Sequence, residues 1–271
     1  LFFAFILSYF KVAGIPASLL LVGFGLWKSH HYHSKQESQE SLIRNLNLKD
    51  GIEPAFAVNT SFEQVGYFLN EVSVILRDCL DAVWREDRAR LREVRSENKR
   101  IQQIANIIIA NIFKTLYLLD RHDVESTRKY KRTIGALQEI TESLRDIVMR
   151  SDSHVSNYHT GFNASQREEL NRIRISTSRL LENTSIMLRK NKKVDYEYIK
   201  SQRGRLEEFL FEFNKNQIKR IQNKETKTRL NILYYGFLRN CEKISDQTQN
   251  LLDIFREYFQ TGEEDGEGRG E

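Results

Sequence analysis

Two pairs of carboxylates recur 100 residues apart, and each pair occupies one face of a predicted helix. Glu142 and Asp146 lie in the segment LQEITESLRDIVM, whereas Glu242 and Asp246 lie in RNCEKISDQTQNLLDIF. Residues four apart on a helix are neighbours, and like charges at that spacing repel by about 0.2–0.5 kcal/mol. A divalent or trivalent metal ion such as Mg²⁺, iron or zinc binds carboxylate oxygen and would reverse this repulsion. The pairs therefore predict metal sites at Glu142, Asp146, Glu242 and Asp246.

Ordinary surface charge is the alternative interpretation of these pairs. Glu93 and Glu97 have the same spacing within RLREVRSENKR, where the neighbouring basic residues predict solvated ion pairs. Recurrence at one register in two halves of the chain favours an inherited cation-binding motif. At this point both interpretations stay open.

Six long helices are predicted to position the carboxylates. The segment TSFE at Thr60–Glu63 has the pattern of a capping box and predicts the start of the first helix; Ser165–Glu168 does the same for the fourth. The chain contains only two prolines, Pro16 and Pro54, so nothing interrupts helices after residue 54. Segments of alternating strand pattern with useful length are absent from the sequence.

The third and sixth helices have apolar seams at the same register. Seam residues follow alternating three- and four-residue spacing, which is typical of antiparallel bundle helices. The two seams are Ile134, Leu137, Thr141, Leu144 and Val148, and Tyr234, Phe237, Cys241, Ile244 and Thr248. The sequence therefore predicts an all-α fold with two tandem three-helix bundles, at 60–151 and 165–259, followed by a disordered acidic tail at 260–271.

The N-terminal segment 1–27 is apolar with a single charge, and about 20 such residues suffice to cross a bilayer. We expect a transmembrane helix at the end of a truncated membrane domain, joined to the bundles by a polar linker at 28–59. A signal peptide would need a basic leader and a cleavage site, and neither is visible. Lys28, Lys35 and Arg44 follow the segment, so the positive-inside tendency places the bundles in the cytoplasm.

Composition and motifs restrict the function classes. Lys and Arg number 42 against 37 Asp and Glu, a balance that gives little reason to expect nucleic-acid binding. Cys79 and Cys241 form no disulfide framework or metal-thiolate spacing, which fits a reducing compartment. The sequence has no phosphate-binding loop, dinucleotide glycine motif or nucleophile elbow, and no Glu-x-x-His of a di-iron bundle. We therefore expect no enzymatic activity.

The segments LQEITESLRDI and LRNCEKISDQTQNLL resemble the Glu-x-x-x-Asp signature of PhoU-like proteins, in which LERIGDHATNI is the typical run. The second copy matches better, since Ile244 and Asn250 also fit the pattern, although Ser245 and Gln247 replace the usual Gly and His. The resemblance covers about residues 60–259. It implies two helical bundles that hold metal ions at the four carboxylates and regulate phosphate uptake.

The order of apolar segment, linker and paired bundles is similar to the C-terminal end of a bacterial PiT-type inorganic phosphate transporter; a sodium/phosphate cotransporter is the second resemblance. This implies a bacterial inner-membrane protein with cytoplasmic bundles, whose missing permease part handles inorganic phosphate and a coupling cation. A homo-oligomer is also allowed. The alternative function is a membrane-anchored helical signalling or receptor protein without catalytic activity.

Overall fold

The computed structural model describes the backbone of residues 54–118, 124–190 and 196–267, and side chains within 59–114, 127–189 and 196–257. All described residues belong to one compact unit, 48–271, and the described ranges contain six helices and no strand. The helices are α1 (Pro54–Trp84), α2 (Arg88–Leu118), α3 (Val124–Ser156), α4 (Ala164–Lys190), α5 (Tyr196–Gln222) and α6 (Thr228–Glu267). The predicted all-α architecture of six helices is confirmed.

Two of the predicted helix starts are wrong. Helix α1 begins at Pro54, six residues before the predicted cap at Thr60, and proline suits a first turn because the amide it lacks would have no helical partner there. Helix α4 is capped by Asn163, which exchanges hydrogen bonds with Gln166: Gln166 N donates to Asn163 Oδ1 over 2.8 Å, and Asn163 N donates to Gln166 Oε1 over 3.2 Å. The capping box thus lies two residues before Ser165 and uses amide side chains.

Three helices end in the same type of turn, with a non-glycine residue in the left-handed region. Glu86, Tyr158 and Lys224 have φ of 54°, 55° and 58° and follow α1, α3 and α5. In each turn two amides bond back to the last helical turn, as Asp87 N does to Ala82 O over 2.9 Å. This is the Schellman arrangement. Because all three turns precede an antiparallel helix, they lie where the chain reverses direction.

Helices α1, α2 and α3 pack together, as do α4, α5 and α6, and the two sets are joined by α1 against α4 and by α3 against α6. The α1–α4 pair is antiparallel, since Asp81 contacts Arg174 near the start of α4, whereas Arg77 contacts Glu182 farther along. The α3–α6 pair is antiparallel as well, as its side-chain contacts show below. One apolar core contains residues from all six helices.

The predicted seams form this core. Removing apolar area from water contributes about 25 cal/mol per Å², so the seam is the main source of stability. In α6 the predicted seam residues Tyr234, Phe237, Cys241, Ile244 and Thr248 are all buried. The apolar residues of α1 at helical spacing are buried too: Val65, Phe68, Val72, Ile75, Cys79 and Val83. In α3, the seam residues Leu137, Leu144 and Val148 are buried, whereas Ile134 and Thr141 are half-buried.

The predicted transmembrane segment 1–27 and most of the predicted linker lie outside the described residues. Within the described ranges, no helix combines the length and the apolar character needed to cross a bilayer. At the other end, α6 continues to Glu267, although the sequence predicts a disordered tail from residue 260. Adding a residue to an existing helix costs far less than starting one, so an acidic segment can extend α6.

Candidate functional site

A groove of about 590 Å³ runs between α3 and α6 and contains one of the predicted carboxylate pairs. The helices cross antiparallel here, as shown by the contacts of Glu139 with Lys243 and of Asp146 with Asn240. Glu142 and Asp146 line the groove from α3. The facing side of α6 contributes apolar and polar groups, among them Ile232, which is 54% exposed. The groove is open and mixed in polarity, which suits a protein segment better than a buried small molecule.

Asp146 is held by two neighbours. Arg150 Nε lies 2.8 Å from both carboxylate oxygens, and Asn240 Nδ2 donates to Oδ2 over 2.8 Å. Partial burial alone would raise the pKa of Asp146, but the hydrogen bonds from Arg150 and Asn240 and the positive charges of Arg150 and Arg145 hold it below its ordinary value. The carboxylate is therefore ionised and already neutralised by a guanidinium.

Asp246, the counterpart in the second half, has a different partner. Arg203 on α5 donates from Nη2 to Asp246 Oδ1 over 2.6 Å, and the same guanidinium donates to Glu207 over 2.6 Å. Burial opposes the charged form of Arg203, but its hydrogen bonds to Asp246 and Glu207 raise its pKa. Thus Asp146 is bound within the groove, whereas Asp246 is bound within its own bundle.

Glu142 and Glu242 are exposed, and only Glu142 lines the groove. Among the described residues there is no group of three or more His, Cys, Asp and Glu side chains placed to hold a metal ion. Arg150 and Arg203, rather than further acids, contact the two aspartates. The structure therefore does not support the metal-binding interpretation, and metal occupancy stays an untested prediction.

The comparison pair Glu93 and Glu97 behaves as ordinary surface charge. Arg90 donates from Nη1 to Glu93 over 2.9 Å and to Glu97 over 3.5 Å, and it also contacts Asp78 on α1. One arginine thus offsets the repulsion of two glutamates without a metal. Asp146 and Asp246 are satisfied in the same way, by Arg150 and Arg203.

Sequence reasoning missed a buried ionic network in the second bundle. Arg220 on α5 and Glu169 on α4 form an ion pair of 2.7 Å in which the side chains are only 10% and 9% exposed. Tyr234 donates its hydroxyl to Glu169 Oε2 over 2.5 Å, and Arg220 also donates to Ser165 Oγ over 2.7 Å. Burial raises the pKa of Tyr234, and its bond to Glu169 adds to that effect. Spacing in the sequence gives no signal for this network, because its members come from three helices.

The arrangement of the six helices matches a solved structure. The crystal structure of the phosphate transport system regulatory protein PhoU from Streptococcus pneumoniae aligns with a TM-score of 0.58 and 14% sequence identity, over 74% of this chain and 92% of that chain. The chain has a PhoU-like fold. Neither the family models nor the curated protein sequences give a match.

The PhoU-like fold confirms the resemblance seen in LQEITESLRDI and LRNCEKISDQTQNLL at the level of architecture. At 14% identity the likeness shows the fold and leaves function open. Descent from a PiT-type transporter stays a prediction. The predicted acids lie on α3 and α6, and the arginine partner of Asp146 comes from its own helix, whereas that of Asp246 comes from α5.

Proposed function

We propose that this chain is a regulatory domain that controls phosphate uptake by a transporter, without catalysis of its own. The main support is the PhoU-like arrangement of two three-helix bundles, which covers 92% of a phosphate transport regulatory protein. The two copies of the Glu-x-x-x-Asp motif on α3 and α6 add to this support. A membrane-anchored signalling protein is the alternative, and the uptake experiment below separates the two.

The groove between α3 and α6 is the contact surface in this proposal. Arg239 is exposed on its wall and forms no hydrogen bond or ion pair within the described residues, and Arg145 is exposed beside it. Ile232 and the half-buried Tyr235 provide apolar surface between these charges. This combination favours an acidic segment of the transporter with apolar side chains, because charge sets orientation while apolar contact adds affinity.

The proposal keeps two further expectations from the sequence: an anchor within residues 1–27 in the bacterial inner membrane, and helices exposed to the cytoplasm. Metal binding is not included. It is checked separately by elemental analysis of the purified chain and of the variants Glu242→Ala and Asp246→Ala, where a metal site predicts a loss of bound metal in both variants.

Phosphate uptake in the native host tests the proposal. An in-frame deletion of residues 54–271 should change the rate of radiolabelled phosphate uptake or its dependence on external phosphate, while sulfate uptake stays constant. The charge reversals Arg145→Glu and Arg239→Glu together should reproduce the deletion. The matched control is Lys200→Glu with Lys215→Glu, because both lysines are exposed on α5 and the charge change is the same. Unchanged phosphate uptake after the deletion would refute the proposed function.

A further inference from the structure

A second cleft, at the end of the molecule where α3 turns into α4, is lined by basic groups and by no carboxylate. Its volume is about 360 Å³. It lies between the last turn of α3, the loop at 157–163 and the first turn of α6. The lining residues are His154, Tyr158, His159, Thr160, Lys227, Thr228, Arg229 and Leu230.

Lys227 and Arg229 are the lysine and the arginine that line this cleft. Arg229 Nη1 lies 2.9 Å from Nε2 of His159, and Lys227 Nζ donates to the Thr160 hydroxyl over 3.0 Å. Neither basic residue forms an ion pair with a carboxylate of the described part of the chain. Arg203 and Arg220, by contrast, both bind carboxylates.

A guanidinium against an imidazole, with an ammonium group nearby, leaves several donors facing one space. An anion in this space would receive hydrogen bonds from the guanidinium of Arg229 and the ammonium group of Lys227, and it would offset their positive charges. Hydrogen bonds of this charge-assisted type are stronger than neutral ones, and a guanidinium fork matches the oxygens of a phosphate.

The backbone adds donors at the same place. The first helical hydrogen bond of α6 runs from Asn231 N to Lys227 O over 3.0 Å. The amides of Thr228, Arg229 and Leu230 therefore precede the first intrahelical bond and have no helical acceptor, and all three residues line the cleft. Helix N-termini favour negative charge, so the peptide dipoles reinforce the side-chain cations.

The loop that forms the opposite wall is fixed in position. Phe162 is buried, and its ring meets those of Tyr234 and Phe237 edge-on at centroid distances of 6.3 Å. His154 is buried, and its Nε2 lies 3.0 Å from the carbonyl oxygen of Thr160. Thr160 and His159 are thereby held opposite α6, which gives the cleft a defined shape.

We infer that this cleft binds a small oxyanion of the phosphate class through Lys227, Arg229 and His159. The inference rests on the charges and donors of the cleft and is independent of the proposed transporter contact. The same chemistry is offered by free phosphate and by the phosphate of an anionic lipid headgroup, so both sources enter the test.

Titration calorimetry of the full chain with inorganic phosphate, in a phosphate-free buffer, tests the inference. We expect saturable binding that weakens about tenfold or more in Lys227→Gln with Arg229→Gln, because two charge-assisted hydrogen bonds are lost. The control Lys200→Gln with Lys215→Gln has the same change in net charge and should bind within about twofold of the parent. The exchange Lys227→Arg with Arg229→Lys retains both charges and should keep most of the affinity.

Vesicles of phosphatidylcholine with and without phosphatidylglycerol distinguish the sources. If the chain binds the anionic vesicles but not free phosphate, and vesicle binding falls in Lys227→Gln with Arg229→Gln, the ligand of the cleft is a lipid headgroup. Unfolding curves of each variant separate lost binding from lost folding. The inference is overturned if the parent chain binds neither phosphate nor the anionic vesicles. It is also overturned if the folded double variant binds both as well as the parent does.

Discussion

Asn240 on α6 donates a hydrogen bond to Asp146 on α3, with Nδ2 and Oδ2 2.8 Å apart. The same amide group donates to the Gly236 carbonyl over 2.8 Å, and Asn240 is buried. This hydrogen bond therefore connects the two halves of the chain within the candidate groove.

The coupling between these residues is measurable. Asn240→Ala should lower the free energy of unfolding by about 1 kcal/mol, because Asp146 loses a donor. The Asp146 side chain is 39% exposed, so Asp146→Asn should cost at most about 1 kcal/mol after solvent screening. Urea denaturation of both single variants and the double variant gives the interaction energy. Additive effects would show that the bond contributes nothing.

The stability that Asp146 contributes depends on pH in a defined direction. Since the pKa of Asp146 is lowered in the folded state, its contribution is present above its ordinary pKa of 3.8 and is lost as the pH falls through the folded value. The stability difference between the parent and Asp146→Asn should therefore be constant near neutral pH and shrink below about pH 4. A difference that persists at lower pH would contradict the depressed pKa.

The ion pair of Glu169 and Arg220 should be sensitive to the loss of one partner. Arg220→Met leaves a buried carboxylate without its cation and should cost about 3 kcal/mol or more. In Glu169→Gln with Arg220→Met the buried charge is gone, and Gln can still accept from Tyr234. We expect the double variant to be more stable than Arg220→Met. Urea denaturation checks this order. If the double variant loses as much stability as the single variants Glu169→Gln and Arg220→Met together, the ionic explanation is ruled out.

The apolar seams could be predicted because helical periodicity is a local property of the sequence. Val65, Phe68 and Val72 follow it, and all three are buried. The partners of the predicted acids could not be predicted in the same way. Arg203 reaches Asp246 from a different helix, 43 residues away in sequence. Nothing in the spacing around Asp246 indicates that approach, so a metal was an equally reasonable partner.

The helix caps show a second limit of local patterns. Ser165 and Glu168 match the expected capping box, yet Asn163 and Gln166 make the hydrogen bonds. The side-chain oxygens of Asn163 and Gln166 accept from backbone amides, as the hydroxyl and carboxylate oxygens of a Ser–Glu pair would. Phe162 fixes the preceding loop by burying its ring. Tertiary packing therefore selected one of two acceptable caps.

Both thiols should be unreactive in the folded chain. Cys79 and Cys241 are buried, and burial raises the pKa of each thiol to about 12. Because the thiolate is the reactive species, a disulfide reagent at pH near 8 should label neither residue in the native protein and both in denaturant. Lys215→Cys offers an exposed thiol as a positive control. Native labelling of either core cysteine at the rate of the control would contradict the observed burial.

Gly66 lies where α1 packs tightly against α4. A Cβ at this position would lie 2.5 Å from Cγ of Arg189 and 2.9 Å from the backbone oxygen of Ser185. Arg189 is confined by its stacking over the Tyr67 ring, 3.9 Å from the centroid. Because a backbone atom must also move, Gly66→Ala should lower the free energy of unfolding by about 1–3 kcal/mol.

Gly135 provides the matched control for Gly66→Ala, since a Cβ there meets no atom within 4 Å and the residue is exposed on α3. Gly135→Ala should raise the free energy of unfolding by about 0.5–1 kcal/mol, because alanine loses less conformational freedom than glycine in a helix. Chemical denaturation of the two variants side by side measures both effects. If both substitutions raise the free energy of unfolding, helix propensity alone governs both sites, and the tight contact between α1 and α4 does not limit residue 66.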